Sequence, residues 1–158
     1  MMRAVVFILA IAGLAGAVAL RTPATAAATQ PDGAAIYKRC AACHLATGAG
    51  VPGAFPPLGA DIRVLSKSLS GRNYLALAVI RGVSGPLTVD GKTYRGNMPA
   101  QASLDDAAVA AVLNHVVVKI AKGSGTAFTP AEIANARKAG ASLSAVDVGK
   151  LHSGAGSK

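Results

Sequence analysis

Cys40-Ala41-Ala42-Cys43-His44 decides how the rest of this chain is read. Two thiols separated by two residues can each form a thioether to one vinyl group of a haem. The histidine that follows the second thiol then lies under the iron as an axial ligand. C-x-x-C-H is the attachment signature of c-type haem. A Cys₄ zinc site would need two more cysteines, and the sequence has only these two. A thioredoxin-like dithiol needs a βαβ setting, and no such pattern surrounds residues 40–44.

The N-terminus places this motif in a suitable compartment. Met1-Met2-Arg3 is followed by an uninterrupted run of 17 small or apolar residues, positions 4–20, ending at Arg21. Ala24-Thr25-Ala26-Ala27-Ala28 then offers A-x-A-like cleavage sites after Ala26 or Ala28. This is the layout of a secretory signal peptide over residues 1–28. The run is at the lower limit for a membrane span, and its Ala and Gly content favours cleavage over retention as an anchor. Haem is attached outside the cytoplasm in bacteria, so the expected location is periplasmic. There the two cysteines would be consumed by haem rather than by a disulfide.

Loss of Arg3 and Arg21 takes the 16 basic residues to 14 against 7 acidic ones, a net charge of +7 with His neutral. Nucleic acid is an unsuitable partner for an exported protein despite this charge. Acidic protein faces or membrane surfaces fit better, with electrostatic steering of the encounter. Three Phe, three Tyr and no Trp leave few large apolar bodies for a core. A buried haem would supply one.

Along the remaining chain, Asp32 is expected to cap a helix leading into the motif. Residues 46–58 hold Gly48, Gly50, Pro52, Gly53, Pro56 and Pro57 and read as a loop whose small residues can approach a haem face. Ser70 is expected to open a helix over residues 71–81 that ends at Gly82. Asp90-Gly91 between two β-prone triplets predicts a two-residue hairpin. Ser103 is expected to cap a long helix with Asp105 and Asp106 in its first turn. Its apolar stripe comprises Leu104, Ala108, Ala111, Val112, His115, Val116 and Lys119, and Gly123 stops it. Thr129-Pro130-Ala131-Glu132 opens one further short helix with a thin apolar face, Ile133 and Ala136. From about Ser142 the Gly, Ser and Lys content predicts a mobile tail.

Iron bound through His44 needs a sixth ligand or keeps an open site. Met98, His115 and His152 are the candidates in the processed chain. Met98 is then its only methionine, in a Gly-flanked loop followed by Pro99, 54 positions beyond His44. His/Met ligation raises the potential relative to bis-His. His115 reads as a core-facing histidine between helices, and His152 as a solvated residue of the tail. A five-coordinate or bis-His haem stays open as an alternative.

With Phe55-Pro56-Pro57-Leu58-Gly59 and Tyr94-Arg95-Gly96-Asn97-Met98-Pro99 beside the pentapeptide, residues 33–119 resemble class I cytochromes c. The closest pattern is that of bacterial mono-haem domains with F-P-P-L and Y-x-G-x-M-P segments. Such domains serve as electron-transfer subunits of dehydrogenases or are attached to haem–copper oxidases. The resemblance implies an all-α cytochrome c fold of three to five helices around one covalent haem c, with a small β-hairpin insertion and a C-terminal helical extension. The expected division is a haem domain over residues 29–122 and an extension over 123–158 with one short helix and a mobile tail. By the same resemblance Cys40 and Cys43 hold the haem, and His44 and Met98 ligate iron. The Pro56 carbonyl accepts the His44 ring N–H, with Pro57 as a substitute. Two departures stand out. Ile36 occupies an aromatic position with Tyr37 shifted by one, and His115 replaces a terminal-helix aromatic.

The implied function is one-electron transfer between a dehydrogenase-type donor and an oxidase or other respiratory acceptor, with no catalytic residue. The competing readings are a membrane-anchored subunit of one complex and an open-site peroxidase or gas-binding cytochrome. Some of Arg63, Lys67, Arg72, Arg81, Lys92 and Arg95, against Asp61 and Asp90, are expected to ring the exposed haem edge and guide an acidic redox partner.

Overall fold

The computed structural model describes residues 30–156. The signal-peptide expectation falls on residues outside that range. Among the described residues no helix is long and apolar enough to cross a membrane.

Helix α1, Gly33–Tyr37, begins where Asp32 Oδ1 accepts the backbone N–H groups of Ala34 and Ala35 at 2.9 and 3.3 Å. This is the expected cap. α2 is a single turn, Ala41–His44, and α3 covers Ala60–Leu65. No start signal in the sequence marks α3, since Gly59 caps it without a side chain. α4, Leu69–Arg81, is capped by Ser68 rather than Ser70, two residues earlier than expected, and ends at Gly82. β1 (Leu87–Val89) and β2 (Lys92–Tyr94) pair antiparallel, with Leu87 opposite Tyr94 and Val89 opposite Lys92. Asp90 and Gly91 take φ of 49° and 74°, the two positive angles of a type I′ turn.

α5, Asp106–His115, is capped by Asp105 rather than Ser103; its carboxylate accepts the Ala108 N–H at 2.7 Å. The helix continues as one π-helical turn, Val116–Ile120. Ala108, Val112 and Val116 of the expected stripe are buried, but so are Val109 and Leu113. The buried face is wider than one stripe because a later helix, α6 (Pro130–Ala139), also packs on α5. α1 crosses α5 closely at Gly33, where a Cβ would lie 2.2 Å from the Ala111 carbonyl oxygen. The two departures from the aromatic pattern meet here: the Tyr37 and His115 rings stand 5.4 Å apart.

The C-terminal extension departs from expectation. α6 starts at Thr129 as predicted, and Ile133 and Ala136 are its buried face. The predicted mobile tail is instead an eleven-residue helix, α7, Ala145–Ala155. Ser144 and Asp147 form a reciprocal capping box, and Val148 is fully buried against the body of the fold. Composition misled because Gly149 is there for close packing. A Cβ on it would lie 2.6 Å from the Ser84 carbonyl oxygen. α7 packs along α4, and Ser68 and Ser70 donate their hydroxyls to the Ala155 carbonyl at 3.0 and 3.2 Å. His152 is correspondingly not solvated. Its Nε2 is 3.0 Å from Asp61 Oδ2, and its ring meets the Tyr74 ring edge-on at 5.2 Å.

Arginines fasten this extension. Arg72 makes a two-point ion pair with Glu132, both N···O distances 2.6 Å, donates to the Thr126 and Ala127 carbonyls, and lies 3.9 Å over the Phe128 ring. Arg137 bridges Asp106 and the Leu104 carbonyl. Three of the six basic residues are engaged within the fold. Arg72, Arg81 and Arg63 spend their guanidinium groups internally, the last two on the Leu143 and Ala121 carbonyls. Lys67, Lys92 and Arg95 remain exposed.

Candidate haem site

The pentapeptide folds as one tight turn. Cys43 and His44 both donate their backbone N–H to the Cys40 carbonyl, at 3.2 and 2.9 Å, and Cys40 donates to the Tyr37 carbonyl. Leu45 then leaves the helix with φ of 63°, and its carbonyl accepts the Tyr37 hydroxyl at 2.8 Å. Two thiols and one imidazole are thus carried within five residues on a single turn. Both thiols are free rather than joined. Burial raises the Cys40 thiol above its ordinary pKa, an effect the neighbouring Arg39 charge opposes.

The following loop orients the histidine. Gly50 donates to the His44 carbonyl at 3.0 Å, and Val51 pairs with Phe55 in a small bridge. Gly50 has φ of 66°, and a Cβ there would sit 2.3 Å from the Phe55 carbonyl oxygen, so the loop closes this tightly only with glycine. The closure brings the Pro56 carbonyl to 3.0 Å from His44 Nδ1. The carbonyl can only accept, so Nδ1 carries the proton and Nε2 keeps its lone pair for a metal. Burial lowers the His44 pKa, against a smaller opposing effect of the Pro56 bond. The neutral, ligating form is therefore favoured.

Met98 is held by a second backbone device. It exchanges both backbone hydrogen bonds with Val83, at 2.9 and 3.0 Å. Gly82, at φ 78°, permits the approach, since a Cβ would fall 2.4 Å from the Met98 carbonyl oxygen. Gly96 donates to the Ala54 carbonyl at 3.1 Å, joining the Met98 segment to the proline loop.

Cys40, Cys43, His44, Pro56 and Met98 line one cavity of about 1290 Å³, measured out to its mouth. Its walls are mostly apolar, with Leu75, Val79, Val112 and Val116 among them, and Arg39 and Asp61 are its only arginine and carboxylate among the described residues. Interiors are otherwise close-packed, so an apolar cleft left open beside two thiols and an imidazole calls for an apolar occupant. A haem fits on every count: two reduced thiols, a neutral imidazole with its free nitrogen set by a carbonyl, and a thioether. Of the three candidates for a sixth ligand, Met98 alone lines the cavity. His115 packs tilted against Tyr37, and His152 pairs with the cavity-lining Asp61 without lining the cavity itself. Pro57 lines the cavity, while the carbonyl on His44 is that of Pro56. Among the described residues no group of three or more His, Cys, Asp or Glu could hold a bare metal ion.

Sequence reasoning did not find Val83, the pairing partner of Met98. Its only signal was its place directly after the Gly82 helix stop. Nor did it find Tyr74, which lines the cavity; burial, and secondarily the Asp61 charge, raises its hydroxyl pKa well above the ordinary value.

A covalent haem protein of the helical cytochrome c type is what this fold and this cavity define. Residues 31–118 match the cytochrome c family, and the chain belongs to it. It is similar to a cytochrome c-552 of Thermus thermophilus, 46% identical over 90 residues, which is 57% of this chain and 61% of that protein. A second Thermus thermophilus cytochrome c-552 is 46% identical over 87 residues, 55% of this chain and 66% of the relative. The chain thus spans less than two thirds of the length of either relative.

Proposed function

We propose that this protein is a periplasmic one-electron carrier whose haem c is bound through Cys40 and Cys43 and ligated by His44 and Met98. When bound, the haem supplies the Fe(III)/Fe(II) couple. The chain's own residues do the rest. Cys40 and Cys43 would hold the haem as thioethers, each S–H adding across a vinyl double bond with no outside oxidant. Pro56 fixes the His44 tautomer and strengthens it as a donor. The Val83 pairing holds the Met98 thioether in the cavity wall, and the apolar lining excludes water, favouring a raised potential. With His44 and Met98 both as ligands, the bound iron would have no open site for a substrate.

One observation carries this reading: Met98 is the only one of the three candidate sixth ligands that shares the cavity of Cys40, Cys43 and His44. The test is absorption spectroscopy of the haem-loaded protein beside Met98→Ala. Wild type should show the far-red methionine–iron charge-transfer band and bind CO slowly when reduced. The variant should lose the band and bind CO rapidly. A band that survives in Met98→Ala would remove the ligand assignment.

The partner is proposed to be a redox protein with an acidic docking face, a dehydrogenase-type donor on one side and an oxidase or other respiratory acceptor on the other. Lys67, Lys92 and Arg95, with Arg39 at the cavity, supply exposed positive charge. Transfer rates should fall as ionic strength rises. The leader is proposed to be cleaved between Ala26 and Ala28, which intact mass of the exported protein reads directly; an uncleaved mass would support a membrane anchor.

A further inference from the structure

The segment 81–84 is clasped from both sides. Toward the cavity, Val83 exchanges two hydrogen bonds with Met98, and Gly82 abuts the Met98 carbonyl. From the extension, the turn between α6 and α7 takes hold of the same four residues. The Leu143 carbonyl accepts from Arg81 Nε and Nη2 at 2.8 and 2.6 Å. The Ala145 carbonyl accepts the Ser84 N–H at 3.0 Å. Gly149 of α7 lets that helix lie directly against the Ser84 carbonyl and the Val83 side chain. Arg81 and Ser84 thus sit one on each side of the Gly82–Val83 pair that contacts Met98, and both are bonded to residues beyond the family-matched region.

We propose that the α6–α7 turn is a brace for the Met98 loop, with Arg81 and Gly149 as positioning residues for the iron's methionine ligand. This rests on the reading of Met98 as that ligand. A two-stranded contact of one residue pair is too small to be stable alone. Loops open locally at far lower cost than the whole domain, so the Met98 segment needs support from behind. Arg81 carries a charge-assisted pair of hydrogen bonds, stronger than neutral ones. With the brace in place, the open state lacking methionine ligation is rare. Without it, that state becomes more populated while the rest of the fold persists.

The test compares haem-loaded wild type with Arg81→Met, Gly149→Val, Arg72→Met and Met98→Ala. Two thermal midpoints are followed, loss of the methionine–iron charge-transfer band and loss of far-UV helicity, together with CO binding to the reduced protein. Arg72 fastens the extension through Glu132 and Phe128, without bonding residues 81–84. Arg81→Met and Gly149→Val should lose the band well before helicity and bind CO about tenfold faster, the scale expected when one charge-assisted contact that keeps a loop closed is removed. Arg72→Met should lower both midpoints together and leave CO binding near the wild-type rate. Equal displacement of both midpoints in all three variants, or unchanged CO rates in Arg81→Met and Gly149→Val, would overturn the brace while Met98→Ala still lacked the band. A band retained in Met98→Ala would instead overturn the ligand assignment beneath it.

Discussion

The haem-site half and the C-terminal extension are stabilised by opposite means. Residues 31–118 surround a cavity and depend on an apolar occupant to complete their core. Residues 123–156 add a few buried apolar anchors, Phe128, Ile133, Ala136 and Val148, and the body of the fold also fastens them through guanidinium groups and carbonyls. The first half is built around a cavity; the second adds discrete polar fastenings to its few apolar anchors. Deleting the occupant should therefore damage the first half far more than any single polar deletion damages the second.

Replacing Cys40 and Cys43 together by Ala tests the first side of that contrast. The haem is lost, and thermal unfolding followed by far-UV circular dichroism should no longer be cooperative. A sharp transition near the wild-type Tm would mean that the cavity does not need its occupant. Next in size is Arg72→Met, which strands Glu132 and three carbonyl contacts in a mostly buried setting. A loss of about 3 kcal/mol in urea unfolding is expected. A change near zero would show that the extension is held by packing instead. Gly33→Val drives a side chain into the Ala111 carbonyl and should cost about 2 kcal/mol, measured the same way. It tests whether the α1–α5 crossing tolerates any separation.

Two smaller effects refine the comparison. Ser144→Ala removes the side-chain half of the α7 capping box and should lower Tm by a few degrees without altering the haem spectrum. Tyr74 supplies a pH test. Its folded-state pKa is raised above the ordinary value near 10, mainly by burial. The unfolded chain therefore releases this proton at lower pH than the folded one. Stability should be fully present below about pH 10 and decline as pH rises further. Tyr74→Phe should lack that part of the decline, and an identical alkaline slope would mean that the hydroxyl is not kept neutral by the fold.

The same contrast explains what could be read from the sequence. The site was legible because its devices are local: a pentapeptide, a proline loop twelve positions on and one methionine segment. The Asp32 cap, the Asp90-Gly91 turn and the Thr129 start were legible for the same reason, since each is written within a few neighbouring residues. α7 was not. Its helix is announced only by Ser144 and Asp147, and what holds it lies 62 to 91 positions away, in Arg81, Asp61, Ser68 and Ser70. Periodicity cannot register such partners. Likewise Arg63, Arg72 and Arg81 looked like surface charge because a guanidinium bound to a carbonyl and one bound to water have the same sequence signature. Val83 was hidden because a single-pair bridge has no pattern.

The crossing at Gly33 has a consequence in time. α1 contains only five residues and nucleates poorly by itself. It packs on α5, with Gly33 crossing at Ala111, 78 positions later in the chain. During synthesis, α1, which leads into the segment bearing both thiols, must therefore wait for α5 to emerge before it can dock there. Closing so long a loop is an entropic step that local contacts do not reward. Docking of α1 on α5 is thus a late, long-range event, and the turn that carries the thiols is fixed from its N-terminal side only when it occurs.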